Sequence, residues 1–252
     1  TDTQDHHGHG TAVAGAAAAI GDNGKQVAGV SYNSRIMPLR ITDDSAYATW
    51  SRVAEAISYA ADHGARIINI SFGNESHDLT TSYTITNAAE YMREKGGMVV
   101  VAEGNYSSDS GNTDNPYLIN VSATDKTDNK ASWSSYGHDL DVSAPGVSIL
   151  TTKNGGSTAY YSGTSLAAPV TAGVLGLVLS VNPDLFFFFL ETILEDAAVD
   201  LGDPGYDIYY GWGRVDAAAA VQSALDYVSD PDVTAPETSI VNPQSGETVT
   251  DA

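Results

Sequence analysis

Residues 65–105 read ARIINISFGNESHDLTTSYTITNAAEYMREKGGMVVVAEGN, and the pattern of this stretch decides the fold. ARIINISF (Ala65–Phe72) and GGMVVVAEG (Gly96–Gly104) are apolar runs of strand length, and roughly Thr80–Lys95 between them has the spacing of an amphipathic helix. A strand, a helix and a second strand in that order predict a parallel pair joined by a crossover. INI and MVVV show no apolar–polar alternation, so both are expected to be covered on two faces. Polar residues cluster just past each run, as Ser71-Phe72-Gly73 and Glu103-Gly104-Asn105. In open sheets of this kind, sites form where strands end at their carboxyl edge.

The alternation extends in both directions. RIMPLRI (Arg35–Ile41) and LINVSAT (Leu118–Thr124) read as further strands, and Thr11–Ile20 and Thr49–Asp62 as helices. Later come a glycine-rich turn segment, KNGGSTAYYSG, and a helix from Ser165 to about Val181. Another helix ends near Ala198, and a last one covers Val215–Val228. The expected fold class is α/β, a mostly parallel central sheet with helices on both faces. After Ser229 the composition shifts to Pro, Thr and Asp without helical period. The expected division is a body over 1–229, followed by a linker and the start of an Ig-like β module over 230–252.

Thirty-two acids against eleven bases give a formal charge of -21 over 252 residues, which disfavours nucleic acid and anionic bilayers as partners. The chain has no cysteine, so disulfides, thiol nucleophiles and Cys-based zinc sites are excluded. Gly173–Val181 and Leu185–Leu190 are the longest apolar stretches, and each is too short to span a membrane. A start at TDTQ, without Met or signal peptide, reads as a processed product or a fragment. Phe186, Phe187, Phe188 and Phe189 fall about 100° apart on a helix and cannot share one face. An exposed patch, a docking surface and an error in the recorded sequence compete; the last is favoured, and no function is attached to the run.

DHHGHGTAVAG (Asp5–Gly15) raises the question of metal or base chemistry. HHxH lacks the i, i+4 helical spacing of a zinc site, which disfavours metal. Gly8 and Gly10 let the chain turn into a helix and leave His9 at its amino-terminal end, where the dipole favours neutral imidazole. His6 and His7 read as surface residues, and His63, His77 and His138 as structural ones. In YYSGTSLAAPVTAG, Ser165 follows a glycine turn at a helix amino terminus, a place suited to an oxyanion, although in isolation the reading of Ser165 or Thr164 as only an N-cap prevails. All histidines precede Ser165, which excludes the order of the α/β-hydrolases and leaves those of chymotrypsin and subtilisin. The strand–helix alternation disfavours the all-β first of these.

HGTAVAG (His9–Gly15), NISFG (Asn69–Gly73), VVAEGN (Val100–Asn105), ASWSSYG with LDVSAPG (Ala131–Gly146), SGTSLAAPVTAG (Ser162–Gly173) and YGWGRVDAAAAV (Tyr210–Val221) resemble, in order, the signature segments of subtilisin-like serine peptidases. The resemblance covers nearly all of residues 1–229. It implies that His9 is the general base, Ser165 the nucleophile, and Asn105 the side-chain donor to the oxyanion together with the Ser165 N–H. Ser71, Phe72 and Gly73 match the family's substrate-binding edge, where a peptide adds as an extended strand; Phe72 could equally serve the core. Gly21–Gly29 resembles the family's calcium loop, with Asn23 as side-chain ligand, against a plain Asp-Asn-Gly turn. No cofactor is expected for catalysis, only a structural Ca²⁺. The expected partners are protein or peptide substrates, the expected state monomeric, and the expected location outside the cell.

Two departures stand out. The family's catalytic aspartate lies about thirty residues before its histidine, at the end of a first strand. Only eight residues precede His9, and neither Asp2 nor Asp5 follows an apolar strand, so neither is assigned. The expectation is an amino-terminally truncated body, with the missing strand and acid upstream and feeble activity without them. Glu103 stands where the family carries a small apolar residue, and it either tunes the pocket or faces away. The competing class is an inactive body of this fold used for binding or adhesion.

Overall fold

The computed structural model describes residues 4–42, 47–73 and 79–229. Asp2, His77 and the 230–252 segment lie outside the described residues. Six helices and eight strands are formed: α1 (His9–Ala18), α2 (Trp50–Asp62), β1 (Ile67–Ile70), α3 (Tyr83–Glu94), β2 (Met98–Ala102), β3 (Asp109–Thr113), β4 (Leu118–Thr124), β5 (Tyr136–His138), β6 (Val142–Pro145), β7 (Ile149–Lys153), β8 (Ser157–Tyr161), α4 (Thr164–Val181), α5 (Phe187–Asp196) and α6 (Ala217–Ser229).

The central sheet has the order β1-β2-β4-β6 and every pairing in it is parallel. Successive residues of β2 point to opposite faces. Met98 and Val100 enter a core with Ile119, Val121 and the α4 residues Ala168 and Leu175, while Val99 and Val101 enter a second core under α2 and α3. Helices thus cover both faces, as expected for an α/β body. In α2, Val53, Ile57, Ala60 and Ala61 are buried, and in α3, Ile85, Ala88, Ala89 and Met92. The spacings i, i+4, i+7, i+8 in α2 and i, i+3, i+4, i+7 in α3 make one apolar stripe on each helix. Each large aliphatic side chain so buried contributes about 1.5–3 kcal/mol of transfer free energy.

α4 runs through the middle of the molecule with eleven buried residues, and it packs on β1, β2, β4, β6, α1 and α6. By length and composition alone it reaches the size of a membrane-crossing helix, longer than the apolar stretches considered from sequence. Its surroundings here are those of a core helix. Gly173 lets α4 approach α1 and the chain after it, because a Cβ there would meet the Ala17 carbonyl oxygen of α1 at 3.1 Å and the Val30 side chain at 2.6 Å.

One expected strand is not formed. Arg35–Ile41 forms no strand and joins no ladder among the described residues, and Ile36, Met37 and Leu39 are 48%, 39% and 36% exposed. Its apolar letters predict burial that a strand obtains only with a neighbour on the sheet. The glycine-rich KNGGSTAYYSG forms the turn and second strand of the β7–β8 hairpin, with Gly155 and Gly156 at φ 87° and 78°. The phenylalanine run divides as its angular spacing requires. Phe187 lies under the Arg93 guanidinium at 4.3 Å and Phe189 against Tyr227, while Phe186 and Phe188 are exposed.

Candidate active site

The chain brings its polar elements to the carboxyl edge of the sheet. Asn105 follows β2, Ser71 follows β1, and Ser165 is the second residue of α4; His9 opens α1. All four line one cavity, together with Phe72 and Gly73.

The best-defined part of the site joins Asn105 to α4. The backbone N–H of Thr164 donates to Asn105 Oδ1 at 2.9 Å, and the Thr164 hydroxyl donates to the same oxygen at 3.1 Å. A backbone N–H can only donate, so the atom facing it is the amide oxygen, and the Asn105 NH₂ points the other way. Thr164 Oγ1 in turn accepts the Gly104 N–H at 3.1 Å, which ties the turn after β2 to the start of α4. A Cβ added at Gly163 would lie 3.6 Å from Ser165 N and 3.7 Å from both Nδ2 and Oδ1 of Asn105. Because Oδ1 already accepts from Thr164, the groups left to donate into the volume beside Gly163 are the Asn105 NH₂ and the Ser165 N–H. The first-turn N–H groups of a helix lack intrahelical acceptors and carry the positive end of its dipole, so this volume suits a negative oxygen.

Thr164 was considered from sequence only as an N-cap. Its role in orienting Asn105 becomes visible once β2 and α4 are adjacent, since the partner is 59 residues away. Ser71 Oγ donates to the Ser165 carbonyl at 2.9 Å, so the expected substrate edge is fastened to the serine segment. Phe72 is half-buried and meets Trp50 edge-on with ring centroids 6.3 Å apart, so it also serves the α2–α3 core. Gly73 is exposed, with open space where a Cβ would be.

His9 is half-buried beside the cavity, with the His7 ring 6.3 Å away. Burial holds its imidazole below the ordinary value, the neighbouring His7 adds to this, and the Asp5 carboxylate opposes it. Asp5 is committed to the entry of α1. Its Oδ1 accepts the N–H groups of His7 and Gly8 at 3.1 and 2.7 Å, and its Oδ2 accepts the N–H and hydroxyl of Thr11, both at 2.7 Å. Burial pushes the Asp5 carboxyl up, but the hydrogen bonds from Gly8, Thr11 and His7 outweigh it and leave the group below its usual range. No hydrogen bond joins His9 to a carboxylate among the described residues.

In the 21–29 loop, Asn23 is exposed and its Oδ1 accepts the Lys25 N–H at 2.9 Å. Asp22 and Gly24 have φ of 53° and 66°, so the loop is a tight turn. Glu103 directly follows β2 and is half-buried. With Asp139, Asp141 and Asp114 it forms a negative surrounding for Tyr206, whose hydroxyl is pushed up to about 12 by burial first and these charges second.

A separate acidic cluster lies under α5. Carboxylate oxygens of Asp141, Glu191 and Glu195 lie within 4.8 Å of one another, and Arg93 reaches Glu191 at 3.4 Å. Burial drives Asp141 well above its ordinary value; burial and the Glu191 charge raise Glu195 from 4.5 to about 7. The folded state therefore holds a proton that the unfolded chain releases, so stability present below pH 4.5 is lost as pH rises to 7. The melting temperature is expected to fall across that window, and Glu195→Gln to flatten the slope. A slope unchanged by the substitution would place the titration elsewhere.

Comparison with known proteins identifies the family. The model described as the subtilase family matches residues 1–213. Thermitase of Thermoactinomyces vulgaris is 38% identical over 221 residues, covering 87% of this chain and 76% of thermitase. A thermophilic serine proteinase of Bacillus sp. (strain AK1) is 40% identical over 222 residues, 87% of this chain, but the match spans only 53% of that protein. Among solved structures, a protease from Pseudoalteromonas arctica superposes with a TM-score of 0.76 at 34% identity, over 86% of this chain and 70% of its own. Fervidolysin from Fervidobacterium pennivorans, described as a keratinolytic enzyme related to subtilisin, gives 0.71 at 33%, over 85% and 36%.

Proposed function

The chain belongs to the subtilase family, and from that premise we propose that it is a serine endopeptidase acting through an acyl-enzyme. Ser165 Oγ attacks the peptide carbonyl while His9 takes its proton; the new bond is Ser165 Oγ to carbonyl carbon. The carbonyl oxygen, now negative, enters the volume beside Gly163 and accepts from Asn105 Nδ2 and Ser165 N. His9 returns the proton to the departing amine, and water, deprotonated by His9, releases the acid product. Ser71, Phe72 and Gly73 form the edge along which the substrate backbone extends. The observation that carries this reading is that Asn105 and the Ser165 N–H border the same space beside Gly163 at the amino terminus of the helix that bears the serine, with Asn105 Oδ1 held by Thr164.

A fluorophosphonate probe tests it. Labelling is expected on Ser165 alone, with a rate that rises through a midpoint below pH 6.5, because burial keeps the His9 imidazole neutral to lower pH. A folded, unlabelled protein would leave a binding or adhesion module of the same fold.

The proposal extends to a monomer acting outside the cell on proteins or peptides, the substrate class being supported by the named proteinase relative. It includes a structural calcium ion at the 21–29 loop, held by Asn23 Oδ1 and neighbouring carbonyls; the Lys25 ammonium opposes it and has to stay turned to solvent. Millimolar calcium is expected to raise the melting temperature, and Asn23→Ala to remove that rise. A melting temperature indifferent to calcium removes the ion from the account.

A further inference from the structure

The cavity that holds Ser165 and Asn105 also reaches Phe72, Leu79, Thr80, Glu103, Ser110 and Asp139. β1 and β2 pair with Ile70 opposite Val101, and β1 ends there. Continued past that point, the same register sets Phe72 beside Glu103 and Gly73 beside Gly104, where the two chains are no longer joined. The Glu103 N–H still donates to the Val121 carbonyl at 3.1 Å, so the alternation of β2 holds through this residue. Val99 and Val101 face the core under α2 and α3, and Ala102 packs against the opposite core. Glu103 therefore faces the α2–α3 side, which is also the side of Phe72 and Leu79.

Asp139 approaches from beyond β5. Ser110 Oγ donates to its Oδ1, and Asn112 Nδ2 to its Oδ2 at 3.1 Å; the same Nδ2 donates to Thr80 Oγ1, also at 3.1 Å, next to Leu79 in the chain. Both carboxylates act on the Tyr206 hydroxyl, which burial first and the surrounding charges second push up to about 12. Residues 96–125, which supply Glu103 and Ser110, contain no lysine, arginine or histidine. The way in lies between Gly73 and Gly104, neither of which has a side chain to block it. Glu103 precedes Asn105 by two residues, at most about 7 Å of chain. A four-carbon stem starting at the oxyanion space covers that length.

We propose that this pocket receives the side chain of the residue whose carbonyl Ser165 attacks, and that Glu103, backed by Asp139 and Ser110, selects lysine or arginine there. Phe72 and Leu79 cover the apolar stem, and the carboxylates take the cationic head. The inference rests on the peptidase reading and gives that reading its substrate class.

The test uses diphenyl phosphonates of acetyl-Ala-Ala-X, where X carries the side chain of Lys, Leu or Glu. Ser165 Oγ bonds to phosphorus, phenoxide leaves, and His9 takes the serine proton. On the full chain the labelling rate is expected to fall in the order Lys, Leu, Glu, with Lys ahead of Leu by about 10²-fold, because a half-buried carboxylate attracts a cation and repels an anion. Glu103→Gln keeps the shape and removes the charge. It is expected to cut the Lys-to-Leu ratio by about tenfold or more, and to leave labelling by the plain fluorophosphonate, which carries no such side chain, unchanged. A Lys-to-Leu ratio near one, or a ratio that survives Glu103→Gln, would overturn the proposal. Absence of labelling even by the plain fluorophosphonate would instead strike the peptidase reading. The pocket is then decided without chemistry, by calorimetric titration with acetyl-Ala-Ala-Lys and acetyl-Ala-Ala-Leu: a lysine preference lost in Glu103→Gln upholds it, and equal affinities overturn it.

Discussion

Ser165→Ala is expected to abolish covalent labelling and to produce the largest loss of turnover of any single substitution. In subtilisin itself, where these losses have been measured, removal of the serine costs about 2 × 10⁶ and removal of the aspartate alone about 3 × 10⁴. Such losses are not additive, because serine, histidine and acid act as one unit. Here Asp5 spends both oxygens on the entry of α1, and His9 receives no carboxylate hydrogen bond among the described residues. For these residues alone the expected loss is therefore roughly the quotient of the two figures, about 10². With a carboxylate supplied to His9 it should approach 10⁶. Hydrolysis of a fluorogenic peptide measures both cases, and an activity insensitive to Ser165→Ala would remove the nucleophile from the account.

Asn105→Ala comes second. Its amide oxygen is anchored by Thr164 in the resting site, so the NH₂ is already aimed at the volume beside Gly163 before substrate binds. The donor then acts where negative charge develops, and its loss should appear in kcat with KM nearly unchanged. The equivalent amide in subtilisin is worth about 10²–10³ in turnover, or about 3 kcal/mol, a measured value carried over to this relative. A loss seen in KM alone would mean that Asn105 contacts substrate and reacting centre equally.

Most of the fold was legible because it is written locally. The MVVV and LINVSAT runs, with their two-faced burial, and the stripes Val53–Ile57–Ala60 and Ile85–Ala89–Met92 announce a parallel sheet between helices without reference to distant residues. Arg35–Ile41 misled because apolar letters report a preference for burial, whereas strand formation needs a pairing neighbour. The start of α1 was placed at Thr11, yet the helix begins at His9, since Asp5 caps it from outside by collecting three backbone N–H groups, a contact with no periodic signature. At the site, glycines at 8 and 163 and the polar residues after β1 and β2 could be read directly. The Thr164–Asn105 pair could not, because its spacing is fixed by the packing of β2 on α4 rather than by the chain between them.

The hairpin β7–β8 fixes when the molecule can become active. The helix that carries His9 is fastened to it: Thr151 Oγ1 donates to the Ala12 carbonyl and Thr152 Oγ1 to that of Thr11, each at 2.7 Å, and Asn154 Nδ2 to that of Asp5 at 2.6 Å. These ties span 139 to 149 residues. A nascent chain leaving the ribosome therefore presents its imidazole early, but cannot lock it in place until the hairpin has emerged, immediately ahead of the serine. The two halves of the reaction cannot meet before the hairpin and the serine behind it have both emerged, so the shorter nascent chain is spared its own chemistry.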